Sequence, residues 1–545
     1  MAYLDTYTQP LTAATAAHLL RRATFGPTQQ EIADFTGKTA SQAVDILISN
    51  ASYRATPPPP VEMDVARSDA GQPFLGKAFS GGRNAAYYNY IKCWWIGLMT
   101  EQTNRPSVVE KLTAFWQNHF VVTYSSVEDH RFVDSYLRFL RTNCLGSFKN
   151  MAIGITKEPG MLIFQNGNEN EMGRPNENYA RELQELFVVG ARDFKGNANY
   201  TEQDVKAAAR VLTGWQALNR YKEGSTSISS VFNSTRHDSS NKIFSEKYNN
   251  TTIVGRSSAS AGDEELFDLI SMLLAHQEAA KFICRKLYRW YVNPNVTDEI
   301  EDNVVGPLAQ FFASSENNFL IAPVLRKLLS SQVFFENRNF AAQIKSPAEL
   351  LIGTARIFNQ QVPDITTEYG PFYKMTSFIS NGLSLLQLNL LDQPSVFGSP
   401  AYYQTGYSKN WINESIIGQR GSKTDNFVYP FLEIKQGYVL GIDILARLRG
   451  IQPNFNDVAG TAPIDCEKVL AEFCRNLFAL DFTQNQKDFL IDSIMMMKAS
   501  PRSTWTKEWN AYRASPNEVQ KQNTILWRCR ALLKYLLRMA EYQVF

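Results

Sequence analysis

The sequence predicts a mainly α-helical protein, with a large multi-helix, bundle-like body, long irregular loop insertions and at most short hairpins. Three observations support this fold class. Apolar residues recur at helical spacing along most of the chain, strand-like alternation is rare, and no repeat of fixed period is evident. The 545 residues are 44% hydrophobic, a fraction that is typical of a globular protein and argues against disorder.

Residue counts exclude several classes of function. The 55 basic and 53 acidic residues leave a net charge of +2, so bulk charge cannot hold the protein on nucleic acid, and we expect no such partner. Only 5 histidines are present, which argues against a histidine-rich metal protein. The 6 cysteines form no C-x-x-C pair, so we expect buried free thiols rather than a zinc knuckle or a disulfide scaffold.

The N-terminal residues and the apolar runs bear on localisation. The first ten residues have no basic segment followed by an apolar core, so they do not form a secretory signal. No apolar run approaches the roughly 18 residues that a membrane span requires. The chain as written predicts a cytoplasmic protein without a transmembrane segment, but a processed, exported form would have the same sequence. Localisation therefore stays open.

Composition shifts divide the N-terminal half of the chain. We expect N-terminal helices over 1–50 and a Pro/Gly-rich excursion over 51–83, because four consecutive prolines favour an extended segment. Residues 84–215 are predicted to form an aromatic-rich helical core that carries the candidate site. In it, Ser107 and Glu110 match a capping box, which predicts a helix start there.

The C-terminal half alternates in the same way. We expect a polar loop insertion with room for a short hairpin, a second helical region, a Tyr/Asn/Gly/Pro-rich loop and a C-terminal group of helices. These stretches cover residues 216–262, 263–392, 393–436 and 437–545. We expect all of them to belong to one continuous globular body.

The helix predicted over 176–189 is the strongest chemical candidate. On it, Glu182 and Glu185 share one face with Asn178, while Glu177 and Arg181 share the adjacent face. A carboxylic acid and a carboxylate are what glycoside hydrolysis requires, so Glu182 is a candidate acid or base and Glu177 its partner. The same spacing is equally typical of a solvated helix face with ion pairs. A dimetal site would usually need a Glu-x-x-His motif, which the chain lacks.

Isolated polar residues elsewhere could join that helix. His119, at the end of an aromatic helix, is a candidate acid, base or ligand, or a core histidine with satisfied hydrogen bonds. His237 and Asp238 lie in the polar loop with Lys242 nearby, and a loop pair can join a site assembled from distant segments. Arg22 can anchor a carboxylate, either of a substrate or of the 177–185 helix.

Familiar catalytic motifs are absent from the sequence. It contains no G-x-x-x-x-G-K, G-x-G-x-x-G, G-x-S-x-G or H-E-x-x-H motif. Nucleotide-driven, dinucleotide-dependent, α/β-hydrolase and zincin chemistry therefore lack support. We predict no cofactor, although residues from distant positions in the sequence could still combine to bind a metal ion.

Six segments occur in the order that characterises a known family. They are Ala17–Gly26 (AHLLRRATFG), Phe115–Phe120 (FWQNHF), Asn176–Leu183 (NENYAREL), Asp204–Trp215, His237–Lys242 and Lys345–Pro347. Over about residues 10–450 the sequence resembles the bacterial domain-of-unknown-function family 1800. Members of that family are often exported, and their genes often neighbour a sulfatase-like family, which implies extracellular polymer breakdown by association.

The resemblance also implies one set of site residues. The matching positions are Arg22, Trp116, His119, Glu177, Asn178, Arg181, Glu182, Glu185, Trp215, His237, Asp238 and Lys242. From them we assign catalysis to Glu182, Glu177, His119 and His237, and substrate binding to Arg181, Arg22, Trp116, Asn178, Asp238 and Lys242. No metal ligand is predicted. Family members often carry histidine where this chain has Gln117 and Phe187, which favours a metal-free or inactive site here.

Three hypotheses of function follow. The first is a hydrolase that acts on a carbohydrate or related polymer through the Glu/Arg/His set. The second is a non-catalytic binding or assembly protein, in which the same residues pin helices together and the long loops form the contact surface. The third is a metal- or haem-dependent oxidoreductase. The sequence alone does not decide whether the protein is an enzyme. It also does not decide whether the protein binds a polysaccharide or forms an oligomer.

Overall fold

Helices account for most of the secondary structure in the computed structural model, which describes residues 3–102, 105–402, 407–452, 454–456 and 464–545. The predicted mainly α fold class is confirmed. The N-terminal helices are α1 (Ala13–Ala23), α2 (Gln29–Phe35), α3 (Ala40–Ser49), α4 (Gly81–Thr100), α5 (Val109–His119), α6 (Tyr124–Val127), α7 (His130–Asn143), α8 (Phe148–Lys157) and α9 (Pro159–Phe164).

The middle of the chain combines helices with short hairpins. Helix α10 (Glu177–Glu182) continues as a π-helical segment, Leu183–Val188, and is followed by α11 (Glu202–Val211). The strands are β1 (Trp215–Leu218), β2 (Ser229–Phe232), β3 (Lys242–Ile243) and β4 (Thr252–Ile253). The helices that follow are α12 (Ala261–Ala275), α13 (Gln277–Tyr291), α14 (Asp298–Ile300), α15 (Gly306–Ala313), α16 (Ile321–Leu329), α17 (Pro347–Ile357) and α18 (Tyr369–Leu385).

The C-terminal part adds one more hairpin and six helices among the described residues. Its elements are α19 (Glu414–Val428), β5 (Leu432–Lys435), β6 (Tyr438–Leu440), α20 (Ile444–Ile451), α21 (Cys466–Cys474), α22 (Gln484–Asp488), α23 (Arg502–Ala514) and α24 (Val519–Arg538). A π-helical segment, Phe489–Met495, continues α22. In the described chain every named strand pairs with one antiparallel neighbour, as β1 with β2, β3 with β4 and β5 with β6.

Side-chain caps explain where several helices begin. Thr12, Thr28 and Ser346 each accept a hydrogen bond from the third residue of the following helix in a complete capping box, which satisfies amides that the helix leaves unpaired. The capping box predicted for Ser107 and Glu110 is wrong, because α5 begins at Val109 and has no side-chain cap. Glu110 instead accepts from the indole of Trp95 at 2.9 Å and forms an ion pair with Arg141 at 2.6 Å.

The stretch 393–436 differs from the predicted irregular loop, because it contains α19. Asn413 caps this helix by accepting from the amides of Ser415 and Ile416. Ile416, Arg420 and Thr424 lie buried four residues apart, so tertiary packing outweighs the low helix propensity of its glycines. The helix expected from residue 437 begins later as α20, after β6 has paired with β5.

The buried aromatic side chains form the interior. One contiguous hydrophobic cluster extends from Leu11 to Tyr542 and includes four fully buried tryptophans of α4 and α23. Within it, α4 packs against α18, α19 against α24, and α10 against α11. The six cysteines are free and five of them are buried, as predicted. No described helix is both long and apolar enough to cross a bilayer.

Candidate functional site

The predicted carboxylates of α10 are joined to α11 through Arg181. Both terminal nitrogens of Arg181 lie 2.7 Å from the carboxylate of Glu202, and one of them lies 3.5 Å from Glu177. Asn178 donates its backbone amide to the cap, Asn176. The arginine therefore fastens two helices together near the surface, and its hydrogen bonds go to Glu202 and Glu177 rather than to Glu182.

Glu182 is the carboxylate whose protonation is most altered on this helix. Partial burial, together with the negative charge of Glu185, raises the pKa of Glu182 to about 7, although Arg181 opposes the shift. Among the described residues no hydrogen bond to the Glu182 carboxylate is recorded. Glu185 is held by the hydroxyl of Tyr200, which donates to it at 2.7 Å. Glu182 can thus hold or release a proton near neutral pH.

His119 lies in the interior between α5 and α13. Its Nε2 is 2.9 Å from the carbonyl of Phe187, and its Nδ1 is 3.0 Å from Nζ of Lys286. Burial and the neighbouring lysine hold the pKa of His119 well below its usual value, so the imidazole is neutral. A neutral ring donates from Nε2 to the carbonyl and accepts at Nδ1 from the lysine.

Lys286 was missed by the sequence analysis. Burial, with a smaller contribution from Arg289, lowers the pKa of Lys286 to about 7. Its Nζ also donates to the carbonyl of Leu186 at 3.2 Å. A lysine with such a pKa can act as a base or a nucleophile. The residues around Lys286 have the pattern of an ordinary amphipathic helix, so the local sequence does not indicate a lysine with a lowered pKa.

The neighbours of His119 in the sequence have different partners. The indole of Trp116 is fully buried and donates to the carbonyl of Cys144 at 3.0 Å, so it is part of the core. Gln117 accepts from the side-chain amide of Gln393 at 2.8 Å. The ring of Phe187 is 6.0 Å from that of His119. An amide and a phenyl ring thus stand at the two positions where the resemblance implies histidines.

His237, Asp238 and Lys242 meet in one buried network below the polar loop. Nε2 of His237 lies 3.1 Å from one oxygen of Glu265 on α12, and Nζ of Lys242 lies 2.5 Å from the other. Burial alone would raise the pKa of Glu265, but its bonds to His237 and Lys242 outweigh burial and lower it. Asp238 pairs with Arg210 of α11 at 2.7 Å. The network fastens the loop to two helices.

Arg22 lies away from α10 and does not bridge to it. The side chain is fully buried, donates to the carbonyl of Asn339 at 2.8 Å and stacks over the ring of Phe545 at 4.5 Å. Burial lowers the pKa of Arg22 to about 9, although the carboxylate of Glu349 on α17 opposes this shift. The predicted site residues therefore have different bonding partners, although the Phe187 carbonyl joins His119 to the segment that continues α10, and the ion pair of Lys111 with Glu349 joins α5 to α17.

A wide groove lies on another face of the molecule. We call it the basic groove, and its volume is about 1240 Å³. It is lined by parts of α2, the end of α17, the β5–β6 hairpin, α20, α21 and α24. None of the predicted site residues lines it. Its cationic side chains are Arg447, Lys468, Arg475 and Arg530, and its acidic ones are Asp443 and Glu472.

The sequence analysis missed this groove because its charged residues come from three separate helices. Glu472 accepts from Arg447 at 3.0 Å and from Arg475 at 3.1 Å, which holds both guanidinium groups on one wall. Within the described structure, Nε of Arg447 and Nε of Arg530 have no hydrogen-bond partner. Each helix alone reads as an amphipathic helix with a solvated face, so no local spacing identifies the groove.

Comparison with known proteins places the chain in a family. In the described residues no group of three or more His, Cys, Asp or Glu side chains is arranged to hold a metal ion. No curated protein and no solved structure is significantly similar to the chain. A family model described as "Protein of unknown function (DUF1800)" matches residues 18–544, which includes the C-terminal helices that form the basic groove. The chain therefore belongs to the DUF1800 family.

Proposed function

We propose that the protein is a non-catalytic binding protein whose ligand occupies the basic groove. The groove itself is the observation that supports this function. Its volume of about 1240 Å³ exceeds the roughly 300–1,000 Å³ of pockets that enclose one small molecule. An open groove of that size suits a segment of a polymer.

The charges of the groove favour an anionic ligand. Four cationic and two acidic side chains leave an excess of two positive charges along its walls. Arginine presents a planar fork of donors that matches a carboxylate or a sulfate group. Nε of Arg447 and Nε of Arg530 are buried without a hydrogen-bond partner in the described structure, so neither guanidinium group is fully satisfied by the protein there. We therefore assign the ligand to the carboxylated or sulfated polysaccharides.

Binding of polysaccharides tests this proposal. Purified protein is titrated calorimetrically with a polyuronate and with neutral dextran, at low and at high salt. We expect the polyuronate to bind, salt to weaken binding, and dextran not to bind, because the groove acts through charge. Equal binding of dextran and polyuronate, or no binding of either, would contradict the proposal.

Two variants locate the binding to the groove. Arg530→Gln removes a groove cation, whereas Arg192→Gln removes an exposed arginine that lies outside it. We expect Arg530→Gln to weaken polyuronate binding several-fold, since one ion pair of this kind contributes about 1 kcal/mol. Arg192→Gln is expected to bind as the wild type does. An equal loss in both variants would move the binding site elsewhere.

A hydrolase is the second candidate, and Glu182 favours it. A carboxyl with a pKa of about 7 beside a second carboxylate, Glu185, is the arrangement from which acid and base roles arise in glycoside hydrolysis. The proposed reaction would use Glu182 as general acid or base and Glu185 or Glu177 as its partner. Turnover of candidate polysaccharides by wild type and by Glu182→Gln tests it, with Glu202→Gln as the control. Unchanged turnover in Glu182→Gln would reject this role.

A further inference from the structure

Five basic side chains gather in the interior near the start of α17. Arg21 and Arg22 come from α1, Lys111 from α5, Lys345 from the residues before α17, and Arg420 from α19. All five are less than 9% exposed. We call this set the cationic cluster. Its members come from four segments that lie far apart in the sequence, so only the tertiary fold brings these segments together.

Among the described residues, Glu349 is the carboxylate that acts electrostatically on the cationic cluster. Glu349 forms an ion pair with Lys111 and lowers the free energy of that charge. The same carboxylate is the acidic side chain that acts on Arg22, Lys345 and Arg420. A single carboxylate cannot balance five basic side chains, and burying an ion in a protein interior without a counter-charge is strongly unfavourable. The cluster therefore lacks negative charge.

Hydrogen bonds and aromatic rings compensate only part of this charge. Nη2 of Arg22 donates to Asn339, but its Nε and Nη1 are buried without a partner in the described structure. Nζ of Lys345 lies 3.6 Å from the ring centre of Tyr542, and no hydrogen bond from it to a described residue is recorded. Contacts with aromatic rings stabilise a desolvated cation by less than the burial of that ion costs.

A small cavity adjoins the cluster. It is lined by Arg21, Lys345, Glu349, Tyr542 and Phe545, among others. About 30 Å³ of it is open to the centre of a water molecule, which is room for one or two water-sized occupants. The backbone amide of Lys345 donates to Gln543 at 2.8 Å, and its carbonyl accepts from Arg420 at 2.9 Å. These two hydrogen bonds hold the backbone of Lys345 in place, and its side chain lines the cavity.

We propose that this cavity is a binding site for one small inorganic anion of halide size, held between Lys345 and Arg21. The size of the cavity excludes a larger ligand, and the excess positive charge selects an anion. The site is separate from the basic groove and its ligand is different, although Ile357 lines both. The inference therefore stands without the proposed polysaccharide binding.

Protonation of Lys345 is coupled to occupancy. Burial, Arg21 and Arg420 hold the pKa of Lys345 well below its usual value, although Glu349 opposes this shift. Tyr542, whose pKa burial raises to about 12, stays neutral beside it. An anion stabilises the charged amine, so the site takes up a proton as it fills. Affinity for the anion is expected to fall as pH rises.

Thermal unfolding of the full chain in sodium bromide and in sodium gluconate at equal ionic strength tests the site. Gluconate is too large for the cavity, so we expect wild type to melt a few degrees higher in bromide. Lys345→Met is expected to melt at the same temperature in both salts. The control Lys281→Met, at a partly exposed lysine of α13 that lines neither the cavity nor the basic groove, is expected to keep the bromide increment.

Crystals of the wild type grown in bromide give a second measurement that does not depend on a variant. We expect an anomalous bromide peak within hydrogen-bond distance of Nζ of Lys345. The proposal is overturned if wild type melts identically in bromide and gluconate, or if bromide peaks occur only at the surface. Stabilisation by sulfate without stabilisation by bromide would also overturn the assignment to a halide-sized anion.

Discussion

Nζ of Lys286 lies 3.0 Å from Nδ1 of His119, so a lysine of α13 and a histidine of α5 share one hydrogen bond in the interior. The other ring nitrogen, Nε2, donates a hydrogen bond to the carbonyl of Phe187, near the end of the π-helical segment after α10. One chain of hydrogen bonds thus joins three segments that lie far apart in the sequence. Both side chains have pKa values lowered mainly by burial.

The lowered pKa of Lys286 makes stability depend on pH. The amine loses its proton near pH 7 in the folded protein, but at about 10.5 when unfolded. Between these values the unfolded chain binds more protons, so the free energy of unfolding rises with pH. Lys286→Met cannot titrate there. We expect wild type to gain on the order of 3 kcal/mol relative to this variant between pH 7 and 10.5, measured by urea unfolding.

Lys281→Met is the matched control on the same helix, since Lys281 is more exposed and pairs with Glu278 at 3.4 Å. Its unfolding free energy is expected to follow wild type across the same pH range. Parallel pH profiles for wild type and Lys286→Met would show that burial does not shift the titration of this amine.

We expect the buried ion pairs of Glu265 to contribute most of the stability with which the polar loop is held against α12. Glu265→Gln removes the charge that pairs with Lys242 and leaves a buried ammonium without a counter-ion. We expect the free energy of unfolding to fall by about 3 kcal/mol in this variant. Glu264→Gln, the neighbouring residue in a half-exposed pair with Arg256, is expected to lose less than about 1 kcal/mol. Equal losses in the two variants would indicate that the buried network has no special weight.

Local sequence patterns predicted many of the helices and turns, because the residues that begin or end a helix lie within a few positions of that helix end. Gly190 ends the helical segment after α10 with a backbone φ of +90°, the left-handed conformation that glycine adopts readily at the end of a helix. Thr201 and Asp204 form the capping box that begins α11. The polar loop, in which one short hairpin was expected, contains two, formed by β1 with β2 and by β3 with β4.

Long-range pairing could not be predicted in the same way. Ser107 and Glu110 have capping-box spacing, but an ion pair with Arg141, 31 residues away, takes the carboxylate. Likewise Arg181 pairs with Glu202 of the next helix. Helical periodicity states which face of a helix is apolar, but not which helix packs against that face. The sequence therefore predicted Glu182 and His119 as candidates without predicting which residues surround each of them.

Glu158 provides a second pH-dependent test, because it is a buried carboxyl with one unsatisfied oxygen. Its Oε2 accepts from the amides of Gly160 and Met161, while Oε1 is buried without a partner in the described chain. Burial outweighs the opposing effects of the Ser135 side chain and of these two bonds, and raises the pKa of Glu158 from 4.5 to about 7. Over that range the folded protein binds more protons, so its stability falls as pH rises.

Glu158→Gln keeps an acceptor for the two amides and never ionises. We expect the variant to gain roughly 3 kcal/mol relative to wild type between pH 4.5 and pH 8, measured as the difference in unfolding free energy. Glu169→Gln replaces an exposed carboxyl in the following loop and serves as the control. If the difference between Glu158→Gln and wild type is the same at both pH values, the carboxyl is ionised in the folded protein.

The contact between Gly398 and α5 is expected to hold the loop before α19 in place. Gly398 has a φ of +74°, and a Cβ added there would lie 2.5 Å from the carbonyl oxygen of Asn118. The same asparagine accepts from the amide of Ser399 at 2.7 Å. Gly76 has a similar φ of +81°, but no atom lies within 4 Å of an added Cβ. The two glycines thus separate backbone strain from steric overlap.

Gly76→Ala is expected to cost about 1 kcal/mol of unfolding free energy, from the left-handed backbone alone. Gly398→Ala adds the overlap with Asn118, which is backbone and cannot rotate away, so we expect a loss of about 3 kcal/mol. Urea unfolding of both variants measures the difference. Equal losses would mean that the loop shifts away from α5 at little cost, and that Gly398 serves only its own turn.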